Sequence, residues 1–263
     1  MCSSCKKASN NKSSSTAEVK NKKPIASVNF DPEGKIEGSE LSSRSTQDNG
    51  KLFTRLSSKR TGVKFINPIL TDNPRAYLYA SAMGCGGVAV GDVNGDAKPD
   101  LFFTGGPIPN QLLIQTDNLV FKDITQGAGV GGGNAWGTGS SIIDIDKDGD
   151  LDIYVCNYDS ANALYLNQGD GTFTESAKSY GLDFISAGHT PAFSDYDLDG
   201  DLDLYLMTNF FYDPRGKTTE RIVGYDRNKN VVVFPKFKKF YGITGIVGDV
   251  VNHDTVGQSD RLL

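Results

Sequence analysis

The sequence predicts an all-β fold, a β-propeller whose blades span about 50 residues each and which is incomplete at about four blades. The main observation is an acidic loop that occurs three times and begins at Asp92, Asp144 and Asp195, so that the repeats are almost equally long. About four short strands for every fifty residues accompany these loops, which is typical of propeller blades. The chain also contains 30 glycines and 10% aromatic residues, which favours a turn-rich β protein over a helical bundle.

A change of composition near residue 49 divides the chain into two parts. Residues 1–48 are rich in Ser, Asn and Lys and have no apolar periodicity, so we expect a disordered polar tail. Within it, Ser3-Ser4-Cys5-Lys6 is similar to the end of a bacterial lipoprotein signal, which makes Cys5 a lipidation candidate. The alternative is a plain disordered N-terminus. Residues 49–263 are predicted to form the partial propeller.

The distribution of charge limits the possible partners. Residues 1–24 contain six lysines and one glutamate, so the rest of the chain is more acidic than the overall net charge of −5. Because phosphate neutralisation needs clustered Lys and Arg, we expect no nucleic-acid binding by the main domain. The sequence has no run of about eighteen apolar residues, so membrane contact is expected only through a lipid anchor at Cys5.

Each repeat is predicted to contain the same elements in the same order. One strand leads into the acidic loop and a second strand follows it, in residues 87–103, 141–155 and 192–206. An apolar strand, a turn and a second strand then form a hairpin, in residues 111–123 and 163–175. Residues 52–56 are interpreted as the last strand of a preceding unit.

The repeat pattern breaks after the third loop. Residues from about 210 to 257 are interpreted as an insertion between two strands of one blade. Residues 249–254 match the pattern of a fourth loop only in part, because they lack both the glycine and the ninth-position carboxylate. Residues 257–263 resemble the strand that leads to Asn-Gln-Gly-Asp-Gly in the second repeat.

The acidic loops have the pattern Asp-x-Asp/Asn-x-Asp-x-x-x-Asp, which places oxygen ligands at positions 1, 3, 5 and 9. A set of oxygen ligands on a short flexible loop suits Ca²⁺ better than Mg²⁺, and a backbone carbonyl at position 7 completes the shell. The predicted side-chain ligands are Asp92, Asn94, Asp96 and Asp100, then Asp144, Asp146, Asp148 and Asp152, then Asp195, Asp197, Asp199 and Asp203. The predicted carbonyl ligands are those of Lys98, Asp150 and Asp201.

Position 6 distinguishes the first loop from the other two. Gly149 and Gly200 permit a sharp turn there, whereas the first loop has Ala97. We therefore expect the first site to be weaker or differently folded.

The loops have two other possible interpretations. An EF-hand needs a bidentate Glu at position 12, where these loops have Phe103, Val155 and Leu206, and it needs flanking helices, where these loops have strands. A solvated acidic turn without an ion remains the second alternative. Structural calcium that holds the blade turns in place is the preferred hypothesis.

The sequence gives little support for catalysis, and we predict that the protein is not an enzyme. Its two histidines, His189 and His253, have no nucleophile or phosphate-loop motif associated with them. Trp136 is expected to pack between blades, with sugar stacking as the alternative. Lys236–Lys239 with Phe234, Phe237 and Phe240 is expected to be an exposed loop, and contact with anionic ligands or a membrane surface is the alternative.

At these residues the chain resembles the FG-GAP/VCBS-repeat propellers, and within them the cartilage-acidic-protein group, whose longer members carry an ASPIC/UnbV domain. The resemblance rests on residues 91–96, 136–137, 144–154, 164–173 and 195–205. It implies an exported, secreted or cell-surface propeller that binds Ca²⁺ and takes part in adhesion or recognition of a protein or glycan. Such propellers contain more blades than this chain supplies, so we expect a fragment or the N-terminal part of a split gene. The alternative function is a carbohydrate-active or glycan-binding propeller similar to polysaccharide lyases.

Overall fold

The computed structural model describes residues 27–30, 36–39, 53–80, 86–214, 220–247, 250–255, 258 and 261–262. The chain divides into two compact units, Met1–Arg55 and Leu56–Leu263. In the first unit, strand β1 (Ser27–Phe30) pairs antiparallel with β2 (Ile36–Ser39). The remainder of the predicted tail, including the lipidation candidate Cys5, lies outside the described residues.

The second unit begins with a short helix α1 (Ser58–Thr61) and a 3-10 helix (Ala76–Ala80). A four-stranded antiparallel sheet follows, here called blade 1, in the order β3 (Val88–Gly91), β4 (Asp100–Phe103), β5 (Gln111–Asp117) and β6 (Val120–Asp123). The predicted hairpin of residues 111–123 is confirmed as β5 and β6. The prediction of a strand at 52–56 is wrong for its described part, because residues 53–57 join no sheet.

Blade 2 repeats this order after the short helix α2 (Thr125–Ala128). Its strands are β7 (Trp136–Ile143), β8 (Asp152–Ala161), β9 (Ala163–Asn167) and β10 (Phe173–Glu175), each paired antiparallel with the next. The predicted hairpin of residues 163–175 is confirmed as β9 and β10.

Blade 3 begins with β11 (Ile185–Ser194) and β12 (Asp203–Thr208), which pair antiparallel. Two separate hairpins follow, one from β13 (Val223–Tyr225) and β14 (Val231–Val233) and one from β15 (Tyr241–Val247) and β16 (Val250–Thr255), with a 3-10 helix (Pro235–Phe237) between them. The last strand of blade 3, β17 (Arg261–Leu262), pairs with β12.

The described residues therefore contain three blade-like units, and pairing of β11 with β8 joins the second and third into one seven-stranded sheet. The all-β prediction is confirmed. The degenerate fourth repeat does not form a blade in the described part of the chain, because β15 and β16 pair only with each other. Asp249, which would begin its loop, lies outside the described residues. No helix within the described ranges is both long and apolar enough to cross a membrane.

The blades pack face to face, and β8 supplies both of the central surfaces. Ile153 and Val155 lie in one apolar cluster with Phe102 of blade 1. Tyr154 and Cys156 point to the opposite face, because side chains alternate along a strand, and lie in a second cluster with residues of blade 3. Burial on both faces explains why residues 153–156 of β8 are all apolar.

Candidate metal centre

Each acidic loop connects the first two strands of its blade, and the three loops share one backbone conformation. Positions 4 and 6 both have a positive φ, at Gly95 and Ala97, at Lys147 and Gly149, and at Leu198 and Gly200. The expectation that the first loop is differently folded is therefore wrong. Ala97 adopts the same turn with φ of 62°, a conformation that costs an L-residue about 1 kcal/mol.

One set of hydrogen bonds recurs in all three loops. The backbone N–H of position 6 donates to the carboxylate of position 1, at 2.7 Å from Ala97 to Asp92, 3.1 Å from Gly149 to Asp144 and 3.0 Å from Gly200 to Asp195. The N–H of position 7 likewise donates to the carboxylate of position 5. These bonds hold the carboxylates of positions 1 and 5 on the inside of the turn.

The carboxylate of position 9 fastens each of the first two loops to its blade. Asp152 Oδ2 accepts the N–H of Ile145 at 2.8 Å, and its Oδ1 accepts the N–H of Asn167 in β9 at 2.8 Å. Asp100 accepts from Val93 and Gln115 in the same way. Both carboxyls are buried, and this desolvation raises their pKa values, with the neighbouring loop carboxylates adding to the effect.

The first carboxylates of loops 2 and 3 each contain an oxygen that lacks a hydrogen bond. Asp144 Oδ1 and Asp195 Oδ1 are both inaccessible to solvent and accept from no group. A buried carboxylate oxygen without a partner is costly unless a cation or a donor compensates it. Each of these oxygens therefore lies where a cation would satisfy it.

The carboxylates of these two loops also converge. Ligand oxygens of Asp144, Asp146 and Asp148 lie within 4.8 Å of one another, as do those of Asp195, Asp197 and Asp203. Such groups could hold a metal ion, and the all-oxygen donor set fits a hard cation. The groups differ in membership, because Asp152 is absent from the first and Asp199 from the second.

Loop 1 differs from the other two in its charges. Position 3 is the neutral Asn94, and the Lys98 ammonium lies 2.9 Å from Asp96 Oδ2. This ion pair lowers the pKa of Asp96. Both oxygens of Asp92 accept backbone hydrogen bonds, from Asp96 and Ala97. The predicted first site thus has fewer free oxygens and an internal counter-charge.

Two residues of the site were not predicted, namely Gln115 and Asn167. Their backbone N–H groups donate to the ninth-position carboxylates, and the Asn167 side-chain amide also donates to the carbonyl oxygens of Val93 and Leu151. The repeat could have predicted their shared role, because each residue follows the first carboxylate of its loop by the same number of positions.

Of the other candidates, Trp136 packs in the core and His189 makes a local polar contact. Trp136 is confirmed as a packed aromatic, because it is 1% exposed and lies among Leu78, Tyr158 and Ala187, so it offers no face to a sugar. The Nδ1 of His189 lies 2.9 Å from Thr190 Oγ1.

The basic and aromatic stretch is anchored to the rest of its unit. The Lys239 ammonium lies 2.6 Å from Asp159 Oδ1 and 4.4 Å from the centroid of the Phe211 ring, and Lys236 pairs with Glu220. The expectation of a simple exposed loop is wrong for Phe237, which is fully buried against Ile222 and Val233.

The geometry defines a class of protein built of stacked antiparallel blades, each with an Asp-rich loop at the same place. The FG-GAP-like repeat family matches residues 92–155 and 144–206, which contain all three loops. Residues 92–206 are therefore similar to FG-GAP-like repeats, and the predicted resemblance is confirmed.

Three relatives support the same resemblance. The chain is 33% identical to cartilage acidic protein 1 of Mus musculus over 111 residues, which are 42% of this chain and 17% of the relative. The Xenopus tropicalis protein of that name is 27% identical over 151 residues, which are 56% of this chain and 23% of the relative. The Homo sapiens protein is 29% identical over 123 residues, which are 46% of this chain and 18% of the relative. The chain thus spans about a fifth of the length of these relatives.

Proposed function

We propose that this chain is a calcium-binding β-propeller module that acts outside the cell in adhesion or recognition, and in which calcium is structural. The observation that carries the calcium proposal is the pair of buried oxygens Asp144 Oδ1 and Asp195 Oδ1, which accept from no protein group. Each lies in a cluster of three carboxylates. A cation there would satisfy the buried oxygen and reverse the repulsion among like charges.

Calcium fits the loops better than the other hard cations. Ca²⁺ accepts six to eight oxygen ligands in flexible geometry, whereas Mg²⁺ requires a near-ideal octahedron and retains its waters. In the proposal, the side chains at positions 1, 3, 5 and 9 and the carbonyl oxygen at position 7 hold the ion. The ion would connect the first two strands of each blade and would perform no chemistry, so the proposal assigns no catalytic residue.

An extracellular location is consistent with calcium binding by these loops. Extracellular calcium modules bind with dissociation constants of about 10⁻⁴ to 10⁻³ M, which only the medium outside the cell saturates. The FG-GAP-like repeats and the similarity to cartilage acidic protein 1 support an exported protein. The proposal includes secretion or attachment to the cell surface through a lipid on Cys5, and a protein or glycan as the binding partner.

Thermal unfolding tests the calcium proposal. We expect the melting temperature of the full chain to rise in millimolar Ca²⁺ and to fall in chelator, because a ligand that binds only the folded state stabilises it. Asp144→Asn should remove part of this shift. Asp150→Asn is the matched control, because it removes the same charge from the same loop but leaves the position-7 carbonyl in place. An equal melting temperature in Ca²⁺ and in chelator would refute the proposal.

A further inference from the structure

A pocket of about 360 Å³, here called the Arg75 pocket, lies where blade 1 meets blade 2. Its walls are formed by residues 73–75, 106–109 and 133–136. The second segment lies in the connection from β4 to β5, and the third leads into β7. In an antiparallel sheet, both positions are at the end away from the loop between the first two strands. The Arg75 pocket is therefore separate from the predicted calcium ligands.

A wider groove of about 840 Å³ adjoins this pocket. The two cavities share the wall formed by Ile108, Pro109 and Gly133. The groove continues from there to residues 123–127, which include the first three residues of α2. Gly133 has a φ of 59°, and a Cβ at this position would meet nothing within 4 Å, so the shared wall is open above it. A ligand longer than one residue can therefore occupy both cavities.

The Arg75 guanidinium lies at the edge of the pocket and pairs with no carboxylate among the described residues. Its Nη1 donates to the carbonyl oxygen of Asn134 at 3.1 Å, and its Nη2 lies 3.5 Å from Ser160 Oγ. A guanidinium has five N–H donors, so three remain for a ligand. Asp159, the neighbour of Ser160, is instead held by Lys239 at 2.6 Å. A half-buried cation with free donors favours an anionic ligand.

The rest of the pocket is mostly apolar, which restricts the kind of anion. Its apolar side chains include those of Pro74, Pro107, Ile108 and Pro109. The hydroxyl groups of a sugar would lose their water there without gaining partners, which is unfavourable. Trp136 also offers no ring face to a sugar, because it is 1% exposed. One charged group among apolar walls fits a single carboxylate on an otherwise apolar ligand.

We propose that the Arg75 pocket binds the carboxylate of an aspartate or glutamate in an extended peptide segment of a partner protein. The residues next to this carboxylate lie in the wider groove. Two N–H groups of Arg75 donate to the two carboxylate oxygens, which is the geometry that suits a guanidinium. The inference rests on the proposed recognition function and assigns its partner to proteins rather than glycans.

Peptide selection on the full chain supplies the probe. A phage-displayed library of random peptides is selected in millimolar Ca²⁺, and we expect the enriched peptides to share an aspartate or glutamate with apolar neighbours. Fluorescence anisotropy of a labelled synthetic copy gives its dissociation constant. The same peptide with the acidic residue changed to its amide should bind at least about ten-fold more weakly, because hydrogen bonds between charged groups are stronger than neutral ones.

Substitutions of Arg75 test whether the peptide carboxylate binds at this residue. Arg75→Gln should lower the affinity for the acidic peptide by at least about ten-fold. It should not lower the affinity for the amide peptide, because the pair that the two changes remove is the same. Arg75→Lys should retain only part of the affinity, since an ammonium keeps the charge but lacks the planar pair of donors.

Two further variants complete the set. Ile108→Asp leaves Arg75 in place and should also abolish binding, because it adds a carboxylate to the wall that the pocket and the groove share. Arg227→Gln is the matched control, because it removes the same charge from the exposed turn of the β13–β14 hairpin. The control should bind the acidic peptide as tightly as wild type. Circular dichroism of each variant excludes misfolding, and Arg75→Lys and Ile108→Asp carry the test if Arg75→Gln does not fold.

The outcomes separate this proposal from the calcium proposal. The rise of melting temperature in Ca²⁺ should be equal in wild type and Arg75→Gln, so failed peptide binding beside an intact rise would refute the peptide site alone. Enriched peptides without a shared acidic residue, or an equal effect of the amide change in wild type and Arg75→Gln, would overturn the proposal. Arg75-dependent binding of oligogalacturonate without any enriched peptide would overturn the assignment to a protein partner.

Discussion

The side-chain amide nitrogen of Asn167 in blade 2 lies 2.8 Å from the carbonyl oxygen of Val93, inside the acidic loop of blade 1. The same nitrogen donates to the carbonyl oxygen of Leu151 at 3.1 Å, and Asn167 is buried. One amide thus connects the loops of two neighbouring blades. The loops are therefore part of the interface between blades as well as candidate ion sites.

This connection predicts a large effect of Asn167→Ala. Loss of the amide leaves buried carbonyl oxygens without their donor, at a cost of about 1–3 kcal/mol in the free energy of unfolding. Chemical denaturation in chelator measures this loss without any contribution from the ion. Asn118→Ala, in the exposed turn of the blade 1 hairpin, is the control and should change stability by less than about 0.5 kcal/mol. Equal stabilities of the two variants would contradict the role of Asn167.

The ninth-position carboxylate should be needed even when no ion is present. Asp152→Ala removes the acceptor of two backbone N–H groups, from Ile145 and Asn167, and should cost about 2–5 kcal/mol in chelator. Asp146→Ala, at the exposed third position, should change stability mainly in the presence of Ca²⁺. Denaturant unfolding of both variants in the two buffers checks the contrast. An Asp152→Ala protein as stable as wild type in chelator would show that the carboxylate does not fasten the loop.

Lys98 should weaken cation binding at the first loop. Its ammonium lies 2.9 Å from Asp96 Oδ2, where it competes with a cation for that oxygen, although water screens an exposed ion pair of this kind. Lys98→Ala should therefore raise the calcium affinity of this loop only modestly, by about 1.5- to five-fold. Lys122→Ala, an exposed lysine of β6, is the control for the change in net charge. Calorimetric titration of both variants measures the affinity, and an equal change in the two would attribute the effect to net charge alone.

Calcium-dependent stabilisation should decrease in mildly acidic solution. Burial raises the pKa values of Asp100 and Asp152, so protons compete with the cation at a higher pH than for an ordinary aspartate. In chelator the sign is reversed: the raised pKa values favour folding at low pH, and this contribution is lost as the pH rises through them. Melting curves with and without Ca²⁺ between pH 4 and 8 measure both trends, and a calcium shift that is constant over this range would contradict the prediction.

The repeat made much of this architecture predictable. The regular spacing of Asp92, Asp144 and Asp195 indicated blades and located the loops between strands. The shared turn was predictable from Gly149 and Gly200, but Ala97 adopts it too, because the hydrogen bonds of the loop outweigh the local preference of alanine. Local propensity alone therefore predicts the wrong backbone conformation for the first loop.

Contacts between distant segments were not predictable from the pattern. The packing of Trp136 against Leu78 depends on a 3-10 helix that precedes the repeats and does not follow their periodicity. The bridge from Lys147 of loop 2 to Asp201 of loop 3, at 2.5 Å, depends on how two blades lie beside each other. Such contacts depend on tertiary packing, and no local pattern in a single sequence predicts them.

Calorimetric titration of Ca²⁺ into the chelator-treated chain measures how many of the acidic loops bind the ion and how tightly. We expect two equivalents of Ca²⁺ to bind more tightly, at the loops with a buried unsatisfied oxygen, and one to bind more weakly, at the loop with Lys98. The double variant Asp144→Asn and Asp195→Asn should lose the two stronger equivalents and retain the weaker one. Absence of any saturable calcium binding by the folded wild-type chain would contradict the account.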